Sequence, residues 1–111
     1  MTTIFGKIIR GEIPCQKVFE NDRILAFKDI NPVAPVHILI IPKKEIRDLQ
    51  SIQKEDLPLV GEMVAVAQQL AEEFGVSDGY RLITNNGAPS GQQVFHFHFH
   101  LIGGRQLGAL G

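Results

Sequence analysis

The residues of this chain best suited to chemistry are concentrated in one stretch. His96-Phe97-His98-Phe99-His100 holds three of its four histidines. In an extended strand, side chains at i, i+2 and i+4 share a face. Three imidazoles therefore line one side, while Phe97 and Phe99 pack on the other. One chemistry open to such a row is metal ligation, since imidazole is a common zinc ligand. Alternate strand residues rise ~6.6–6.8 Å, which sets the outer two histidines ~13 Å apart. Two neighbours can converge on one ion, but all three cannot without a sharp bend. His37 would have to complete such a site, because Cys15 is the lone cysteine and no Cys-x-x-Cys or His-Glu-x-x-His spacing occurs. The other chemistry is catalysis on an anion. Asn85-Asn86-Gly87 and Ser90-Gly91-Gln92-Gln93 form a loop that runs straight into the histidine row. A glycine loop presents backbone N–H groups that suit a phosphate. Imidazole is substantially neutral near pH 7 and is a competent nucleophile at phosphorus. Neighbouring imidazoles can donate to phosphate oxygens or manage the leaving-group proton. The spacing favours this second reading and assigns no metal.

Several elements must hold that row in place. Ile4, Phe5, Ile8 and Ile9 have the spacing of a short amphipathic helix over residues 4–10, ending near Gly11. Residues 17–20 and 23–29 read as two strands around the Asn21-Asp22 turn. His37-Ile-Leu-Ile-Ile41 is a continuous apolar run bounded by prolines, as in a central strand buried on both faces. A long helix follows, starting near Glu55 or Asp56 because Pro58 is tolerated only in a first turn. Its expected core stripe is Val60, Met63, Val64, Ala67, Leu70, Ala71 and Phe74, with Gly75 as the stop. The N-terminal half of this helix is apolar nearly all round. That pattern predicts a homodimer with Leu59, Met63 and Val66 near the partner. Residues 80–84 and 94–102 read as the last two strands. The strands are joined mostly by turns, so the expected fold is α+β: a five-stranded antiparallel sheet with one long and one short helix.

Composition narrows the function classes. The chain has 111 residues, 44% hydrophobic and 21% charged, the balance of a folded domain. One domain over residues 1–111 is expected. Eleven basic residues against twelve acidic ones give no basic excess for a nucleic-acid partner. No apolar run reaches the ~18–20 residues of a membrane span, and the N-terminal residues lack a signal-peptide pattern. A cytoplasmic protein is expected.

The stretch His96-Phe-His-Phe-His-Leu-Ile102 fits the pattern His-φ-His-φ-His-φ-φ, with φ apolar, at every position. In this it resembles the histidine triad superfamily of nucleotide hydrolases and transferases. The likeness extends to Ile4-Phe-Gly-Lys-Ile-Ile-Arg-Gly-Glu-Ile-Pro14, Ala26-Phe-Lys-Asp-Ile-Asn-Pro32, and His37-Ile-Leu-Ile-Ile-Pro-Lys-Lys44. Gly103-Gly104-Arg105 is similar to the histidine triad nucleotide-binding branch, which resembles purine nucleoside phosphoramidases. The dinucleoside polyphosphate hydrolases usually carry a proline there.

The resemblance implies a role for each matched residue. His98 would be the nucleophile that attacks the α-phosphorus and forms a nucleotidyl-histidine. His100 would hydrogen-bond the phosphate, and His96 and His37 would orient imidazoles and relay protons. Asn85 and the backbone of Gly91, Gln92 and Gln93 would hold phosphate oxygens. Asp29 would grip both ribose hydroxyls. Phe5, Ile8, Phe27 and Ile30 would wall a purine slot. The implied reaction is metal-independent hydrolysis of a purine nucleoside 5′-phosphoramidate or aminoacyl adenylate, without a cofactor. Two other readings stay open: a nucleotide-binding or protein-interaction module with little turnover, and a dinucleoside polyphosphate hydrolase. The chain departs from the pattern twice. Gln93 stands where many relatives carry serine, and Gln106-Leu-Gly-Ala-Leu-Gly111 lacks the aromatic-proline ending of some relatives.

Overall fold

The structure is a computed structural model and describes residues 3–110. Helix α1 (Ile4–Ile9) opens on Thr3, whose hydroxyl accepts a hydrogen bond from the Gly6 amide at 3.1 Å. It stops at Gly11, whose φ of 78° is cheap only for glycine. Strands β1 (Lys17–Glu20) and β2 (Ile24–Lys28) form the expected hairpin. The Asn21 side chain closes the turn by accepting from the Arg23 and Ile24 amides at 2.9 and 2.8 Å. After β3 (Val36–Pro42) come α2 (Leu57–Glu73), β4 (Tyr80–Ile83) and β5 (Phe99–Gly103). The sheet order is β1-β2-β3-β5-β4, with every neighbouring pair antiparallel.

The period-2 alternation of the strands divides the core in two. Ile24, Ala26, Ile38, Ile40, Phe99 and Leu101 face α2 on one side of the sheet. On the other, Leu25, Phe27, Leu39 and Ile41 lie under Phe5 and Ile8 of α1. β3 sits centrally and is buried on both faces, as its unbroken apolar run required. A six-residue helix is too short to cover a whole sheet face. The face that α1 covers incompletely is the one that carries the histidines.

Two sequence expectations need correction. Helix α2 turns Leu59, Met63, Val66, Ala67, Leu70 and Ala71 into the core, whereas Val64 is 38% exposed. Leu59, Met63 and Val66 are therefore buried against the chain's own sheet and are not free to meet a partner. The second apolar stripe of the helix is Leu57, Val60 and Val64, at steps of three and four, with Leu57 and Val64 exposed and Val60 half-buried. Helix α2 starts at Leu57, close to the expected position, behind a 3-10 turn (Lys54–Asp56). Buried Asp56 is held there by the Lys44 ammonium, at 2.8 and 3.0 Å from its two oxygens. Lastly, the regular ladder of β5 begins only at Phe99, not at residue 94. Ahead of it the chain bends, with the Phe97 amide donating to the Ile46 carbonyl at 2.6 Å. Residues 94–98 are pinned to the segment after β3 rather than laddered along it.

Candidate functional site

The antiparallel registers bring the polar residues to one place. Leu39 pairs with His100 and His37 with Ile102, so His37 and His100 are diagonal neighbours on the α1 side of the sheet. Asp29 lies one residue beyond β2, on the same face as Phe27. Its amide donates to the His37 carbonyl at 3.0 Å. Its Oδ2 lies 3.4 Å from His37 Nε2, and its Oδ1 accepts from the Asn31 amide at 2.8 Å. Asp29 is thus both a turn residue and a member of the histidine cluster. The alternation His–Phe–His–Phe–His persists through the bend: Phe97 and Phe99 enter the α2 core. The ring of His98 meets Phe5 edge-on, with centroids 4.9 Å apart, and lies 4.9 Å from the His100 ring.

Hydrogen bonds to backbone groups decide which nitrogen of each ring carries a proton. A carbonyl oxygen can only accept. His96 Nε2 lies 2.7 Å from the Pro42 carbonyl and His98 Nδ1 lies 2.7 Å from the His96 carbonyl, so both nitrogens are protonated. In the neutral ring, His98 Nε2 is then left with a bare lone pair. His37 Nδ1 accepts from the Val33 amide at 3.2 Å, which puts the His37 proton on Nε2. That proton points at His100 Nδ1, 3.0 Å away. His100 Nδ1 is therefore the acceptor, and its proton sits on Nε2. The ladder yields a lone pair on His98 and an N–H on His100, side by side.

The electrostatics keep these rings neutral. Burial lowers the pKa of His96, His98 and His37 below the ordinary imidazole range, with Asp29 pushing back upward on His37 and His98. His100 is lowered to about 4, first by burial and then by the neighbouring His98 and His37. An unprotonated nucleophilic nitrogen is thereby available at neutral pH.

The loop before the histidines differs from expectation in its details. Gly87 and Gly91 take φ of 86° and 102°, flanking a 3-10 turn (Ala88–Ser90). The amides of Gly91 and Gln92 are already engaged within this loop, donating to the Ala88 and Gly87 carbonyls at 2.9 and 3.3 Å. Gln92 also anchors the loop through its buried side chain. Its Oε1 accepts from the Gly87 amide at 2.7 Å, and its Nε2 donates to the Arg47 and Val94 carbonyls at 3.0 and 3.1 Å. Gln93 is exposed beside it, and Asn85 is half-buried at the end of β4.

The proposed purine wall is split. Phe5 and Ile8 on the inner side of α1, and Phe27 beneath them, are buried, while Ile30 stands 88% exposed. Ile30 and Asp29 line an open cavity of about 480 Å³ together with Pro14, Cys15, Gln16 and Lys28. Pro14 belongs to the stretch that carried the family resemblance. Cys15 and Gln16 had no local signal, since they reach the cavity only because β1 pairs with β2.

Asp29, His37 and His100 each offer an atom within 4.8 Å of the others, as a metal would require. The chemistry of the donors fits poorly. With Val33 N–H on Nδ1, a metal at His37 Nε2 would demand the imidazolate, since neutral imidazole ligates through an unprotonated nitrogen. The triad histidines in turn direct His96 Nε2 and His98 Nδ1 at carbonyls.

A five-stranded antiparallel sheet with one long helix on one face and an imidazole run on the other is the histidine triad, or HIT, fold. The HIT domain family matches residues 10–107, and the chain belongs to that family. It is 55% identical over 108 residues to a HIT-like protein of Chlamydia pneumoniae, covering 97% of this chain and 98% of that one. Among solved structures, a HIT family hydrolase from Legionella pneumophila superposes with a TM-score of 0.92 at 47% identity, covering 95% of each chain. Another, from Clostridium thermocellum, gives 0.93 at 44% identity, covering 98% and 96%. The chain is a HIT-family, hydrolase-like protein, and among its described residues no helix is long and apolar enough to cross a membrane.

Proposed function

We propose that the protein hydrolyses purine nucleoside 5′-phosphoramidates or aminoacyl adenylates to the nucleoside monophosphate. The observation that carries this reading is the tautomer ladder, with a lone pair on His98 Nε2 beside a proton on His100 Nε2. His98 Nε2 attacks the α-phosphorus and the bond to the leaving group breaks. From a phosphoramidate the leaving nitrogen departs as an amine, taking up one proton from solvent that the hydrolytic step later returns. Water then attacks the nucleotidyl-histidine, the N–P bond breaks, and nucleoside monophosphate, a proton and neutral His98 are regenerated. His100 donates to a phosphate oxygen throughout, with more effect as charge develops in the transition state. His37 fixes the His100 tautomer. Asn85 and Gln93 are the remaining phosphate contacts, Asp29 accepts from the ribose hydroxyls, and the base lies toward Ile30, with Phe5, Ile8 and Phe27 as the floor beneath.

A substrate with a singly charged α-phosphate needs no cation here, because imidazole and amide donors offset that charge. We further propose a cytoplasmic homodimer, with the second copy on the Leu57–Val60–Val64 stripe. A fluorogenic adenosine phosphoramidate tests the activity. Wild-type protein should release nucleoside monophosphate, and His98→Ala should lose at least ~10²–10⁴-fold in turnover. It should still bind the product and should form no nucleotidyl adduct by mass analysis after rapid quench. An adduct on the His98→Ala protein would overturn the assignment. Turnover of a dinucleoside polyphosphate but not of the phosphoramidate would place the chain with the polyphosphate hydrolases. Binding without any turnover would make it a nucleotide-binding module.

A further inference from the structure

We propose that Arg105 is a positioning residue for the histidine ladder, acting through the backbone of Val33. Four hydrogen bonds support this. The Nε and Nη2 groups of Arg105 both donate to the Val33 carbonyl, at 3.2 and 2.8 Å. The Arg105 Nη1 group donates to the Gln106 carbonyl at 2.9 Å, which fixes the plane of the guanidinium. On its other side, the Val33 residue donates its amide to His37 Nδ1 at 3.2 Å. The backbone just before Arg105 also packs on the same loop. Gly104 has φ of 95°, and a Cβ there would fall 3.1 Å from Pro35 Cβ.

The segment that joins Asp29 to β3 has no regular structure of its own, and the Val33 side chain is 55% exposed. Apolar burial of that side chain therefore cannot hold the Val33 amide in place. The guanidinium anchors the residue instead: its planar fork fixes the Val33 carbonyl, in the peptide unit next to the one that carries that amide. The consequence runs inward. If the Val33 amide leaves His37 Nδ1, that nitrogen is free to take the ring proton. His37 Nε2 then becomes an acceptor, His100 must turn its own proton onto Nδ1, and the Nε2–H aimed at phosphate is lost. Arg105 touches neither substrate nor reacting atoms in this scheme.

The inference rests on the reading of His100 as a phosphate donor, so its test has one readout that needs no substrate. Nitrogen-15 spectra of histidine-labelled protein distinguish the two tautomers of each ring. In the wild type, His37 should be in the Nε2–H form. In Arg105→Met it should become a mixture, and kcat on the phosphoramidate should fall roughly tenfold with a smaller change in KM. Arg105→Lys can place one N–H on the Val33 carbonyl and should recover part of both effects. An unchanged His37 spectrum in Arg105→Met overturns the proposal, whatever happens to kcat. So does a wild-type His37 in the Nδ1–H form. An altered spectrum with unchanged kcat also overturns it, because the coupling to catalysis would be missing. Lack of turnover by the wild type would instead count against the proposed reaction, with the spectra still deciding what Arg105 does to His37.

Discussion

The burial of neutral histidines makes the fold sensitive to acid in a calculable way. An unfolded histidine titrates near ~6.5, whereas His100 in the fold is lowered to about 4. Between those values the unfolded chain binds the proton and the folded chain does not. Stability is therefore complete above the unfolded value, falls as the pH drops through the window, and stops falling below the folded value. For His100 alone the whole swing is about 3 kcal/mol, of which about 2 is lost by pH 5. His37, His96 and His98 are shifted in the same direction and add to the loss. Since a domain of this size has only ~5–15 kcal/mol in total, the effect is large. Urea unfolding at pH 7.5, 6 and 5 measures it directly. His100→Gln keeps a hydrogen-bonding side chain without a titrating ring, and its stability should fall less steeply over the same range. Nucleoside monophosphate should oppose the loss, because an anion beside His100 favours the protonated ring and binding would take up a proton. A urea midpoint that stays flat from pH 7.5 to 5 would refute the reasoning. So would a His100→Gln variant with the same slope as the wild type.

Other consequences can be measured separately. Asp29→Asn keeps an acceptor for the Asn31 amide but removes the charge, so it should weaken ribonucleotides more than 2′-deoxynucleotides, by on the order of 1.5 kcal/mol in calorimetric titration; equal losses for both sugars would leave Asp29 as a turn residue only. Gln92→Leu strips the partner from the Gly87 amide and from the Arg47 and Val94 carbonyls; thermal unfolding should show a loss of about 2–4 kcal/mol, with the smaller value if water enters. Light scattering at micromolar concentration should give the dimer mass, and Val64→Glu should give the monomer, whereas a Val64→Glu dimer would move the interface off that stripe.

Local periodicity carried the features that depend on which face a side chain takes. The alternation of His96, His98 and His100 with two phenylalanines survived even where the ladder did not, because the α2 core still claims Phe97 and Phe99. The run from His37 to Ile41 placed β3 at the centre, and the spacing of Ile4, Phe5, Ile8 and Ile9 gave α1. Pattern was weaker where a helix is apolar on more than one side. In α2 the apolar pattern runs nearly all round, so spacing alone set Val64 in the core and Leu59 and Val66 toward a partner, whereas the fold buries Leu59 and Val66 and leaves Val64 exposed.

The reactive properties of the site were the least legible, and for a reason that goes beyond prediction error. The type and spacing of the histidines identify the site, but their order of protonation is imposed by the Pro42 carbonyl, the His96 carbonyl and the Val33 amide. Every residue except proline offers both an N–H and a C=O, so no side-chain pattern announces which of them will face an imidazole. The guanidinium of Arg105 reaches the Val33 carbonyl across 72 positions of sequence. The lone pair on His98 beside the N–H on His100 is thus a property of backbone placement. A homologous triad on a loop that set Val33 differently would present the same three rings with a different proton on His100.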